Sequence, residues 1–142
     1  MKHLKSLLHI ALISLVLVGT AASLAACSKD ARALLQEVSN ELNETCPFQC
    51  DPQVVLTHTS VDQHYFVYTY KASEEYVALV KTQEGKDYIL YGFYALASCS
   101  SDIRYILGLC NEAGLGIEYR YSDNCGNSAT VVIEIEDICN IL

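Results

Sequence analysis

The residues best suited to chemistry in this chain are its cysteines, seven in all. Cys46-Pro47-Phe48-Gln49-Cys50 sets two thiols apart by a spacing that invites redox or zinc chemistry. Neither fits well. Thiol oxidoreductases place two residues between their thiols and put the attacking thiolate at a helix start, whereas here the chain passes through Pro52 into a strand-like run. A zinc site needs a second close pair, and Cys99, Cys110, Cys125 and Cys139 are dispersed, so no metal and no other cofactor is expected. Beyond the amino-terminal segment the only histidines are His58 and His64, with no HExxH and no Gly-x-Ser-x-Gly pattern. Glu74-Glu75, Glu134 and Glu136-Asp137 fall where a solvated face or strand end would place them, and no pair stands out for glycoside cleavage. Asp123 to Asn127 carries calcium-friendly oxygens but lacks the long loop that ends in glutamate, and reads as a hairpin turn. No catalytic residue is assigned.

A chain of 142 residues with 51% hydrophobic content supports one domain with a real core. Nine Lys and Arg face 17 Asp and Glu, and because Lys2 and Lys5 lie in the amino-terminal segment, the chain from Cys27 onward carries a net charge of −10. Such a surface repels phosphate backbones, which excludes nucleic acid as a partner. The cysteine content points to an oxidising compartment. Residues 1–26 agree, with a basic start at Lys2, His3 and Lys5, an apolar run from Leu7 to Val18, and small residues from Gly19 to Ala26. That is the layout of an export signal, and its apolar run is shorter than the roughly 20 residues a membrane-spanning helix needs.

Leu24-Ala25-Ala26-Cys27 resembles the lipobox of bacterial lipoproteins. The resemblance implies that Cys27 takes a diacylglycerol, that the signal peptide is cut before it, and that the mature domain, 27–142, is held on a membrane by fatty chains of the palmitate type. Ordinary cleavage after Ala25 is the alternative, and it would leave an odd number of thiols. Lipidation of Cys27 leaves an even set: Cys46, Cys50, Cys99, Cys110, Cys125 and Cys139. Family sorting patterns, with Ser28 rather than aspartate after the cysteine, favour the outer membrane over the inner where both exist. The leaflet stays open, because Ser28-Lys29-Asp30 has one acid only.

The mature chain reads as α+β. Ala31, Leu34, Leu35, Val38 and Leu42 recur at helical spacing within Ser28 to Asn43. Val54 to Val61 and Tyr65 to Lys71 read as one hairpin, and the alternating runs around Ile117–Tyr121 and Val131–Ile135 as a second. Ser101-Asp102 can cap a helix that ends at Gly114, while the all-round apolar stretch 87–98 leans to helix on length but fits a buried strand too. The expectation is an antiparallel sheet of two hairpins with helices on one face, stapled by disulfides.

If the helix of 102–113 runs antiparallel to the strand that follows, Cys110 and Cys125 lie at opposite ends and Cys99 comes within reach of Cys125. Cys46 with Cys110 and Cys50 with Cys139 is then the preferred completion, among other orders. Tyr68, Tyr70, Tyr119 and Tyr121 alternate along strands and are the first candidates for a binding surface, although tyrosine is also an ordinary strand residue. The Tyr68-Thr69-Tyr70 hairpin, Leu109-Cys110-Asn111-Glu112-Ala113-Gly114 and Tyr119-Arg120-Tyr121 are together similar to small Bacteroidota lipoproteins, a likeness that carries architecture and no activity. The functional expectation is a non-enzymatic envelope lipoprotein, anchored to the membrane, that binds a protein or envelope component, in a narrower form as an inhibitor or immunity protein. The alternative is a thiol-disulfide oxidoreductase working through Cys46 and Cys50, or another envelope enzyme.

Overall fold

The computed structural model describes residues 30–142. Helix α1 (Ala31–Thr45) starts where Asp30 accepts a hydrogen bond from the Ala33 amide at 2.8 Å, and it buries Leu34, Leu35, Val38 and Leu42 along one stripe. Strands β1 (Phe48–Asp51), β2 (Val54–Val61) and β3 (Tyr65–Ala72) follow as an antiparallel meander. Asp62 closes the β2–β3 turn by accepting from the amides of His64 and Tyr65 at 2.8 and 2.7 Å. Three helices come next: α2 (Glu74–Lys81), α3 (Gln83–Cys99) and α4 (Ser101–Ala113). Thr82 ends α2 and caps α3, and the fold there is so tight that a Cβ on Gly85 would sit 2.1 Å from the Leu79 carbonyl. Gly114, at φ 69°, terminates α4 in the left-handed conformation. Strands β4 (Gly116–Ser122) and β5 (Ser128–Ile133) and helix α5 (Ile135–Ile141) complete the chain.

The sheet has five strands in the order β1-β2-β3-β4-β5, and all pairs are antiparallel except β3 with β4, which is parallel. Both expected hairpins are present, but the expectation of a purely antiparallel sheet is corrected. The cause is the return path. Helices α2 to α4 carry the chain from the end of β3 back to its beginning, where the Gly116 amide donates to the His64 carbonyl at 2.9 Å. A strand that starts beside the start of its neighbour must run the same way. The stretch 87–98 is helix, with Gly92, Phe93, Leu96 and Ala97 buried on one side. Strand β1 and helices α2 and α5 lie outside the expected elements, and Ile135 opens α5 rather than closing a strand.

The helices cover one face of the sheet and share one core with it. Parallel register places Tyr68 opposite Tyr119 and Tyr70 opposite Tyr121, and the rings stack with centroids 5.3 and 4.9 Å apart. Phe66 meets Tyr68 edge-on at 5.1 Å, and Tyr76 of α2 reaches Tyr121 at 5.5 Å. Each such pair adds about 0.5–1.5 kcal/mol beyond area burial.

A bulge in β2 between Leu56 and His58 turns Thr59 inward under α1. Asn43 then substitutes for a missing strand partner: its Oδ1 accepts from the Thr59 amide at 2.7 Å and its Nδ2 donates to the Thr59 carbonyl at 2.9 Å. Ser39 and Thr59 share a buried hydroxyl contact at 2.9 Å.

Two outcomes are expected. Asn43→Ala leaves both Thr59 backbone groups unpaired and lowers stability by about 1–3 kcal/mol, read as a shifted urea midpoint at constant slope. Burial pushes the Tyr68, Tyr70, Tyr119 and Tyr121 phenols well above their ordinary range. The stability they contribute is complete below the unfolded phenol value of about 10 and falls as pH rises above it. Spectrophotometric titration should therefore show these four ionising only in a cooperative step that coincides with loss of the fold; a smooth rise with the fold intact contradicts this.

Candidate functional site

Strand alternation decides which side chains reach solvent. Phe66, Tyr68 and Tyr70 of β3 and Ile117, Tyr119 and Tyr121 of β4 point under the helices. Tyr68 and Tyr70 are 2% exposed, Tyr121 3% and Tyr119 8%, so the four tyrosines singled out as a binding surface are core residues in this fold. Their alternation was legible, but not which face would be covered.

The other face of the sheet has no helix over it among the described residues. It presents Tyr65, Thr69 and Lys71 from β3, Glu118 and Arg120 from β4, and Thr130 from β5. Val67 lies on this side as well, since it is fully buried yet outside the main core cluster. The cations of the face are already held by oxygens of the same domain. Arg120 donates through Nε and Nη2 to Glu118 at 2.8 and 2.9 Å and through Nη2 to Asp62 at 3.4 Å. Lys71 donates to the Asp123 carbonyl at 2.8 Å, and Tyr65 donates its hydroxyl to the Glu134 carboxylate at 3.3 Å. The Asp62 carboxyl pays a desolvation cost, but the His64 and Tyr65 amides and Arg120 outweigh it and hold it below the ordinary carboxylate range. What remains for a partner is a hydroxyl-rich surface on which Arg120 is paired with carboxylates and Lys71 keeps its charge while fastened to the Asp123 carbonyl.

The cysteines form no disulfide in this structure: Cys46, Cys50, Cys99, Cys110, Cys125 and Cys139 are all free thiols, so the stapled framework and its preferred pairs are corrected. Their contacts lead elsewhere. Cys125 donates to the Glu74 carboxylate at 2.7 Å, Cys139 to Asn111 Oδ1 at 2.9 Å, and Cys99 to the Ala95 carbonyl within its own helix at 3.3 Å. Cys50, on β1, is buried and donates to the Phe48 carbonyl at 3.6 Å. Burial raises the thiols of Cys46 and Cys50 and pushes Cys110 up to about 12. Raised values are the reverse of what an attacking thiolate requires.

His58 and His64 are exposed on separate strands or turns, and among the described residues no three His, Cys, Asp or Glu side chains converge to hold a metal. Asp123 organises the β4–β5 turn by accepting from the amides of Cys125 and Asn127 at 2.8 and 2.9 Å and from Asn127 Nδ2 at 2.7 Å. Its oxygens are thus committed to the turn. Cys27 and the signal segment 1–26 lie outside the described residues. Sequence reasoning missed the Asn43–Thr59 junction and the Glu74–Cys125 contact; each depends on a pairing across the chain that no local pattern carries.

No family model matches the sequence, and no curated protein does. Among solved structures, the fold resembles that of a candidate secreted protein from Pseudomonas aeruginosa, with a TM-score of 0.59 and 11% identity over 76% of this chain and 92% of that one. At this identity the likeness speaks for the fold alone. No helix among the described residues is long and apolar enough to cross a membrane.

Glu74 raises the Cys125 thiol through its hydrogen bond and charge. Glu74→Gln should return that thiol toward its ordinary value, so at about pH 8 Cys125 reacts several-fold faster with a maleimide. Peptide mapping of the labelled site reads the rate, and an unchanged Cys125 rate refutes the contact.

Proposed function

We propose that this chain is an exported, non-enzymatic lipoprotein of the cell envelope that binds a basic protein or envelope component, in its narrower form as an inhibitor or immunity protein. The observation that carries the reading is the acid excess of the mature chain, net charge −10, with Arg120 of the open sheet face already paired with Glu118 and Asp62. A basic partner would be drawn to such a surface and an anionic one repelled. The raised thiols of Cys46 and Cys50 favour this over the oxidoreductase alternative.

Anchoring rests on the lipobox-like Leu24-Ala25-Ala26-Cys27. The name of the Pseudomonas aeruginosa neighbour, a candidate secreted protein, is in keeping with export. With α1 beginning at Ala31, four residues after Cys27, a fully extended tether would reach at most about 14 Å. Arg32 donates through Nη2 to the Asp62 carbonyl, which ties the start of α1 to the β2–β3 turn. That end of the domain would therefore rest nearest the bilayer, on the outer membrane where the cell has one.

Two measurements test the reading. Intact mass and peptide mapping of membrane-extracted protein should find Cys27 as the first residue with acyl mass attached; unacylated Cys27 removes the anchor. Capture from membranes with the mature domain should enrich basic proteins or envelope material at low salt and lose them as ionic strength rises. Failure to enrich any partner across conditions, or insulin reduction that disappears on Cys46→Ser, overturns the binding function.

A further inference from the structure

The two edges of the sheet are built differently. Strand β1 is four residues long, lies between Pro47 and Pro52, and carries an irregularity between Gln49 and Asp51. Its carbonyls are occupied by its own side chains, since the Gln49 amide donates to Asp51 and the Cys50 thiol to Phe48. Short length, flanking prolines and a bulge all keep an edge from pairing with foreign chain. Strand β5 has none of these. Its six residues, Ser-Ala-Thr-Val-Val-Ile, hold no proline and no charge, and they pair with β4 in unbroken register.

The turn sets the phase of that edge. The Asp123 amide donates to the Asn127 carbonyl at 3.1 Å, so in the same antiparallel ladder the facing pairs Tyr121 and Ala129, Tyr119 and Val131, and Ile117 and Ile133 exchange the hydrogen bonds. The backbone N–H and C=O groups of Ser128, Thr130 and Val132 therefore point away from β4. No hydrogen bond from elsewhere among the described residues reaches them. Helices α2 and α3 contact β5, with Val77 and Val80 of α2 sharing the core with Ala129, Val131 and Ile133, and Ser128 and Thr130 remain exposed.

Charge narrows what could pair there. From Tyr121 to Leu142 the chain has no Lys or Arg, and β5 leads directly into exposed Glu134, Glu136 and Asp137. At its entry, Glu74, Glu75 and Asp123 stand against Lys71 and Lys81. A second copy paired antiparallel would bring together two domains of net charge −10, a repulsion that Lys71 and Lys81 at the entry relieve only in part.

We propose that the free edge of β5 docks an extended, β-branched segment of a basic partner polypeptide. The segment adds as a sixth strand and sets its basic residues beside Glu134, Glu136 and Asp137. The inference rests on the binding function above for the existence of a partner, and adds its site and chemistry. Main-chain hydrogen bonds to Ser128, Thr130 and Val132 supply affinity, and the acidic flank supplies selectivity.

The test uses the full mature chain in detergent and the probe peptide Lys-Lys-Thr-Val-Thr-Val-Lys-Lys, with a version N-methylated at alternate residues as control. Saturable binding should slow amide exchange at Ser128, Thr130 and Val132 by roughly tenfold or more and weaken with salt. The methylated peptide should bind at least about tenfold more weakly whatever any variant does, because it cannot complete the ladder. Thr130→Pro should impose a similar loss while sparing the β4 ladder, from which that N–H points away. Protection elsewhere, equal binding of the methylated peptide, or a salt-resistant dimer joined through β5 overturns the proposal. An envelope partner captured equally by wild type and Thr130→Pro would sink edge docking and leave the binding function standing; peptide pairing at β5 with no envelope partner captured does the opposite.

Discussion

The parallel seam between β3 and β4 is the constraint on which the rest of this structure depends. It joins two antiparallel hairpins into one sheet, and its register brings Tyr68 beside Tyr119 and Tyr70 beside Tyr121. A shift of one residue would turn Phe66, Tyr68 and Tyr70 of β3, or Ile117, Tyr119 and Tyr121 of β4, out of the core at once. Helices α2 to α4 follow from the same constraint, because a parallel neighbour can be reached only by a long return over one face of the sheet. That return then becomes the cover under which the tyrosines are buried.

Covering one face leaves the other as the only broad flat surface the sheet offers. Its composition is set by the same alternation: hydroxyls, charges and β-branched side chains line β3 to β5, and the register adds Gln49 of β1 and His58 of β2. The charges there are arranged to satisfy each other. Arg120 is forked onto Glu118 and reaches Asp62, and Lys71 is turned onto the Asp123 carbonyl, so these cations fasten strand ends and turns instead of presenting themselves to ligands. The asymmetry between the two edges belongs to the same logic. Strand β1 ends the sheet with prolines and self-satisfied carbonyls, whereas β5 ends it with an unbroken ladder of open groups.

The thiols have no such unity. Cys50 and Cys110 are small apolar fillers beside the aromatic core, Cys125 leans on a carboxylate that disfavours its ionisation, and Cys139 is bonded to Asn111. A high cysteine count suggested a framework, yet position in the fold gives each sulfur a separate neighbour. Core packing and the Asn43–Thr59 junction, both independent of sulfur, hold α1 against β2.

Local pattern was enough to find most of the elements. The Leu34, Leu35, Val38 and Leu42 stripe, the alternation through Tyr65–Lys71 and Ile117–Tyr121, the start of α4, which Ser100 caps one residue ahead of the expected Ser101-Asp102, and the Gly114 stop each act within a few residues, and their physics is written in neighbouring side chains. Net charge and the export layout of the amino terminus are likewise properties of sequence alone. The direction of β4, the burial of the tyrosine ladder, the unpaired thiols and the open edge of β5 were not legible there. Each depends on which distant segments meet, and that is decided by the return path of α2 to α4 and by which face of the sheet those helices come to cover, quantities that no single stretch of chain contains.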